Sequence, residues 1–380
     1  MSNPTALESV RRSGITIASD GAEYLKIGEF NPVDATTNPS LVATAVAKPE
    51  YAHLFDEAIR YAQQRLPGGT IEEKTDLVLD FLLVQVGVQI LNIIPGRVSV
   101  SVDPRLGYDY DAIVKKGKSL IALFEECSIP RSRVLVKIPA TYAGIRAAHT
   151  LETSVNPIHT NLTLIFSLSQ AIACAQAGVA VISPFVGRVK DWWAARAIRD
   201  GISEEFHEQP LSEHPGIILV HHIRAAYTAY GYKTEVMAAG FRKPEEIIQL
   251  GRAGPRGGAD IVTLPPDLLD GLRNLEGEED LSGAFQLQVE TRPEPHYFSS
   301  SGHTAEAETA FDLASVEEGI ALDKVPEGLA KFSADAVILE GRVRAQLQVF
   351  EEVSSPSTKV FVGTRVQGMG ETRGHPIEVN

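Results

Sequence analysis

Lys137 sits inside an otherwise apolar, β-branched run, Val134-Leu135-Val136-Lys137-Ile138-Pro139. Such a run reads as a buried strand, and burying a charged lysine is costly. A desolvated lysine relieves that cost by losing its proton, and the neutral amine attacks carbonyl carbons. An unperturbed lysine has a pKa of about 10.4, so only a lowered value leaves useful free amine near neutrality. The alternative is a lysine whose stem packs on apolar surface while its head reaches water.

Other residues of chemical character fall at the ends of similar runs. Asp20 follows one, and Asp34-Ala35-Thr36-Thr37-Asn38-Pro39-Ser40 closes another. Ser101-Val102-Asp103, Thr160-Asn161-Leu162-Thr163, Ser183-Pro184-Phe185-Val186-Gly187-Arg188 and Ala239-Gly240-Phe241-Arg242 end four more. Singly, Asp20 reads as a helix N-cap, Asn38-Pro39-Ser40 as a turn that starts a helix, and the arginines as rim charges. Together they form a Schiff-base set. An amine attacks a ketone, a carboxylate moves protons during dehydration and C–C cleavage, and donors hold the enamine. Two arginines at neighbouring strand ends suit a phosphate group.

The elements that must position these groups alternate regularly. Strand-like runs span Ile15 to Ala18, Pro32 to Thr37, Val98 to Val102, Val134 to Ile138, Asn161 to Phe166, Val179 to Ser183, Glu235 to Ala238 and Asp260 to Leu264. Helical patterning lies between them, as over Ile71 to Leu91, Tyr108 to Glu126, Ala143 to Leu151 and Leu168 to Ala177. Eight such βα units predict a closed (β/α)8 barrel of the TIM type, with its chemistry at the carboxyl ends of the strands. An open doubly wound sheet would call for a Gly-rich phosphate turn after the first strand, and none is present. Residues 38–97 have room for an extra helix. Beyond the eighth run, helical patterning continues around Ser315 to Leu322 and Pro326 to Leu347. This reading places one catalytic domain over residues 1–350 and a polar, disordered tail over 351–380.

The chain has 380 residues, 44% of them hydrophobic, which is ample for one large core. Its net charge of −14 argues against a nucleic-acid partner but not against a small anion held by a few placed arginines. The two cysteines, Cys127 and Cys174, fit neither a disulfide framework nor a metal-ligand spacing. The histidines His149, His159, His221 and His222 do not make a metal set with a carboxylate, so no metal is expected. With no signal pattern and no apolar run long enough for a membrane, the expectation is a soluble cytoplasmic protein.

Four segments carry a family resemblance: Asp34-Ala35-Thr36-Thr37-Asn38-Pro39-Ser40-Leu41; Val136-Lys137 with Gly144-Ile145-Arg146-Ala147-Ala148; Asn161-Leu162-Thr163-Leu164; and Ile182-Ser183-Pro184-Phe185-Val186-Gly187-Arg188. Over roughly residues 8–347 the chain resembles transaldolases. The resemblance implies a metal-free, cofactor-free class I aldolase type, dimeric, that moves a dihydroxyacetone unit between sugar phosphates of the pentose phosphate pathway. It implies Lys137 as the Schiff-base lysine, Asp20 as general acid/base and Thr163 as the residue that positions a catalytic water. Asn38, Asn161 and Ser183 would hold the dihydroxyacetone hydroxyls, Phe185 would line the pocket, and Arg188 and Arg242 would grip the phosphate.

Two departures from the family pattern bear on that expectation. Ser101 stands where the family carries a Glu that relays protons through a water, and Ser cannot take up a proton near neutral pH. Gly240 stands where the family usually has a Ser that contacts phosphate. Ala18-Ser19-Asp20-Gly21-Ala22 and Phe311-Asp312-Leu313 also differ from the usual A-D-T-G-D and F-R-W. The alternatives are a specialised paralogue acting on another carbonyl substrate and a non-catalytic sugar-phosphate binder.

Overall fold

The computed structural model describes residues 3–201, 210–281 and 293–354. Eight parallel strands close on themselves in sequence order. They are β1 (Thr16–Asp20), β2 (Asp34–Thr36), β3 (Val98–Ser101), β4 (Val134–Pro139), β5 (Thr160–Ile165), β6 (Val181–Pro184), β7 (Glu235–Ala238) and β8 (Ile261–Leu264). The seam joins β1 to β8, with Thr16 opposite Ile261 and Ser19 opposite Leu264. Each apolar run seen in the sequence is a strand, and helices cover the outside of the sheet with a continuous apolar core between.

The space between β2 and β3 holds three helices, Pro39–Ala45, Ala52–Arg65 and Ile71–Leu91, where one extra was anticipated. Ile71–Leu91 starts on a capping box. Thr70 accepts from the Glu73 N–H, and Glu73 reaches back to the Thr70 N–H.

Inside the barrel, alternation of side chains along each strand builds levels from the floor to the mouth. Ala18, Leu135, Val181, Met237 and Ile261 form a small apolar cluster of their own. Counting on by two residues from these brings Asp20, Lys137, Ser183, Ala239 and Thr263 inward, nearer the mouth. Odd strands contribute Ser99, Asn161 and Met237 at one level, and even strands Thr36, Lys137, Ser183 and Thr263 at the next. Above them lie Asp20, Ser101 and Thr163. The filling thus turns from apolar to polar towards the carboxyl ends.

Two details differ from the pattern read in the sequence. The helix break near the C-terminus falls at Gly319 (φ 73°), between helices Ala305–Glu318 and Ile320–Ser354, and Pro326 lies inside the second. A mid-helix proline costs about 3 kcal/mol. Here it is tolerated in a helix that buries Val325 and Leu329 against Leu164, Phe166 and Trp192. Second, β5 carries a bulge between Leu162 and Ile165, and Leu164 has φ 60°. Gln170 fastens this strand end, donating to the carbonyls of Leu164 (3.1 Å) and Ala140 (2.8 Å) and accepting from the Phe166 N–H (2.9 Å).

The Ile320–Ser354 helix is about 50 Å long at 1.5 Å per residue. It packs across helices Pro39–Ala45, Ile71–Leu91 and Val186–Arg199 and the end of β5, which puts it beside the mouth. Asp335 accepts from Ser40, Glu340 pairs with Arg105, and Arg344 pairs with Glu72. The polar segment from residue 355 lies outside the described residues. No helix among those described is long and apolar enough to cross a membrane, and Cys127 and Cys174 are free thiols.

Candidate active site

Lys137 is 8% exposed, on the inner face of β4. Its neighbours in register are Ser101 on β3 and Asn161 on β5. Burial holds its amine below the usual lysine range, and the nearby Asp20 carboxylate acts in the opposite direction. Gly144, in the following helix, explains the small residue after this strand. A Cβ there would overlap the Pro139 carbonyl, so only glycine lets the Tyr142–Glu152 helix approach the end of β4.

Asp20 is the last residue of β1 and caps no helix. Its Oδ1 accepts from the Thr36 hydroxyl at 2.7 Å. Thr36 has a single proton and spends it on Asp20, so the 2.6 Å contact between Thr36 and Thr263 must be donated by Thr263. A hydroxyl chain from β8 through β2 therefore orients the carboxylate. Thr36 and Thr263 were not among the residues expected from the sequence. The period-two step from Ile261 marks Thr263 as inward-facing, but nothing local in the sequence shows that it and Thr36 meet Asp20.

Asn161 is fully buried, two levels below Thr163. Its Oδ1 accepts from Ser183 (2.8 Å), and its Nδ2 donates to Ser99 (3.1 Å). Ser183 and Asn161 are thus already joined. Thr163, by contrast, keeps a buried hydroxyl with no partner among the described residues, at the mouth level. Such an orphan is costly unless a ligand or water completes it. Ser101 lies beside Lys137, and among the described residues its hydroxyl makes only a long 3.5 Å contact, to the Thr37 carbonyl.

Asn38 serves as the N-cap that a turn reading anticipated. Its Oδ1 accepts from the Leu41 N–H at 3.0 Å, which leaves its Nδ2 as the group that can face a ligand. Phe185 is half-buried and stacks edge-on against Phe166.

The two arginines sit on adjoining segments. Arg188, at the start of helix Val186–Arg199, lies over the Phe166 ring and pairs with Glu327 of the last helix at 2.9 Å. Lys324 pairs with the other oxygen of Glu327 at 2.7 Å. Arg242 is exposed and pairs with Asp191 at 2.6 Å. Gly240, at φ 68°, offers its carbonyl to the Gly187 N–H (3.1 Å) and to Arg242 Nη1 (3.2 Å). The segment that lacks a Ser hydroxyl therefore still organises both arginine-bearing loops. The carboxylates that meet these arginines were not legible in the sequence, because Glu327 lies far along the chain in a helix whose position only packing decides.

A closed barrel whose mouth gathers a desolvated amine and a hydroxyl-oriented carboxylate suits an enzyme of the class I aldolase type. Residues 17–343 match the family described as Transaldolase/Fructose-6-phosphate aldolase. The chain is 42% identical over 347 residues to a transaldolase of Gibberella intermedia, covering 90% of this chain and 99% of that one. It is 41% identical over 335 residues to a transaldolase of Saccharomyces cerevisiae, covering 88% and 93%. It is also 41% identical over 350 residues to a transaldolase of Thermosynechococcus vestitus, covering 91% and 82%. The chain belongs to the transaldolase/fructose-6-phosphate aldolase family.

Proposed function

We propose that this protein is a transaldolase that moves a dihydroxyacetone unit from a ketose phosphate to an aldose phosphate through a Schiff base on Lys137. The observation that carries the reading is the buried Lys137 amine, close enough to Asp20 for that carboxylate to act on it, at the carboxyl ends of the strands. The neutral amine adds to the ketone carbon, and loss of water gives the iminium. Asp20 takes the proton of the hydroxyl on the far carbon of the bond that breaks, which releases an aldehyde and leaves the enamine on Lys137. The enamine carbon then attacks the acceptor aldehyde, Asp20 returns the proton, and water hydrolyses the product from the lysine.

Thr163 is suited to positioning that water, because its hydroxyl has no other partner among the described residues. Asn38, Asn161 and Ser183 hold the hydroxyls of the three-carbon unit, Phe185 walls the pocket, and Arg188 and Arg242 bind the phosphate. Ser101 hydrogen-bonds the water that would carry protons between Lys137 and Asp20, but takes no proton itself. The dimeric, cytoplasmic enzyme of pentose phosphate metabolism implied by the family resemblance belongs to the same proposal.

The test is intact mass after borohydride reduction with fructose 6-phosphate, for the wild type and Lys137→Ala, with turnover followed on erythrose 4-phosphate. A dihydroxyacetone-derived adduct confined to the wild type, with turnover, is the expected result. No adduct would overturn the Schiff-base reading.

A further inference from the structure

Two ionisable side chains outside the mouth, His214 and Glu246, are almost completely buried. His214 is the N-cap of helix Pro215–Tyr230, where its Nδ1 accepts the N–H groups of Gly216 (3.2 Å) and Ile217 (3.3 Å). An accepting Nδ1 carries no proton, so the ring is neutral and its proton sits on Nε2. Nε2 faces Glu246 Oε1 at 3.4 Å, long for a hydrogen bond, and neither atom has another partner among the described residues.

The second oxygen of Glu246 points the other way and accepts the backbone N–H of Arg242 at 2.8 Å. Burial opposes charge on Glu246, yet the His214 ring and the backbone N–H groups of Arg242 and Lys243 hold its carboxyl below the usual range. A line of contacts therefore runs from the start of one helix, through a buried imidazole set against a carboxylate, to the backbone of Arg242. Gly187 shows how tightly this corner is built, since a Cβ there would stand 3.0 Å from Arg242 Cγ and as close as 2.5 Å to the Gly240 carbonyl oxygen.

We infer that His214 and Glu246 are positioning residues, which fix the Arg242 backbone so that its guanidinium meets the phosphate of the donor. The inference rests on the reading of Arg242 as a phosphate ligand. It requires a carboxylate rather than an amide at 246. A Gln could accept the Arg242 N–H, but its NH2 would then confront the Nε2–H of His214, donor against donor in a buried site. Relief would come only by moving the His214 proton and losing the helix cap, or by shifting the Arg242 segment.

The experiment compares Glu246→Gln, His214→Asn, Arg242→Met and the double variant Glu246→Gln/Arg242→Met. Asn keeps a capping oxygen but is too short to reach Glu246, which provides a second variant should Glu246→Gln fail to fold. KM and kcat are measured for fructose 6-phosphate, and borohydride trapping for unphosphorylated dihydroxyacetone. The expected result is a KM for the phosphorylated donor raised about tenfold in either single pair variant, the scale of one misplaced charge-assisted contact. Trapping of dihydroxyacetone stays at the wild-type level, and Glu246→Gln adds nothing once Arg242 is Met. Equal losses on both substrates, or effects that add in the double variant, would reduce the pair to ordinary core structure and overturn the inference. An Arg242→Met effect with none from Glu246→Gln or His214→Asn would also overturn it, while leaving the phosphate reading intact. No effect of Arg242→Met would overturn both.

Discussion

At the scale of single residues, Lys137 sets a conflict between stability and chemistry. Its amine is depressed in the folded protein and ordinary in the unfolded chain. Between the two pKa values the unfolded chain binds more protons, so this group makes stability rise with pH until about pH 10.4, where the penalty is gone. Lys137→Met is therefore expected to be more stable than wild type at pH 7, with the gap closing towards pH 10. Urea denaturation across that range tests it, and a constant gap would mean that the amine is not desolvated. Ser101, in register with Lys137, leads to a second expectation. General acid–base groups contribute roughly 10²–10⁴-fold, so Ser101→Glu should raise kcat at least about tenfold while adduct formation with fructose 6-phosphate continues. Unchanged turnover would show that Asp20 moves the protons without a second carboxylate. Both residues were visible in the sequence because each lies at or near the end of a strand of unmistakable composition. The orienting hydroxyls of Thr36 and Thr263 were not, since their roles depend on β1, β2 and β8 meeting at the seam.

At the scale of elements, the strands were legible, and so was the body of the last helix but not its start. The eight runs are apolar on both faces because helices cover one face and barrel filling the other. That double burial leaves a mark in composition which no loop imitates. The break at Gly319 was misplaced because Pro326 looks like a stop signal, and only the apolar surface around Leu164 and Trp192 compensates for it. The bulge in β5 is likewise a product of its surroundings, held by Gln170 and by Gly328. A Cβ at Gly328 would stand 2.7 Å from Leu164 Cδ2. This helix also brings Glu327 onto Arg188, where it occupies the guanidinium that a phosphate would use. Glu327 is more than half exposed, and such pairs contribute about 0.2–1 kcal/mol. Glu327→Gln should accordingly lower the KM for fructose 6-phosphate roughly two- to fivefold with kcat little changed. A higher KM would mean instead that Glu327 aims Arg188 at the substrate.

At the scale of the whole molecule, net charge and site charge part company. A chain of net −14 keeps cations where two loops and the last helix meet, with Asp191 and Glu327 tempering them. The barrel has no free sheet edge, because β1 closes on β8. The same closure is repeated outside the sheet, where Thr5 bridges Glu276 and the Ala6 N–H donates to the Leu275 carbonyl. That geometry has a kinetic meaning. The first strand has no second neighbour until the eighth exists, so on the ribosome most of the chain must wait, partly paired, for its closing segment. Closing so long a loop is entropically costly, and folds dominated by such distant pairings form slowly. Nascent chains stalled before Ile261 should remain sensitive to protease, and those with β8 and the following helix exposed should become resistant. Resistance well before β8 emerges would mean that a partial barrel is already a stable body.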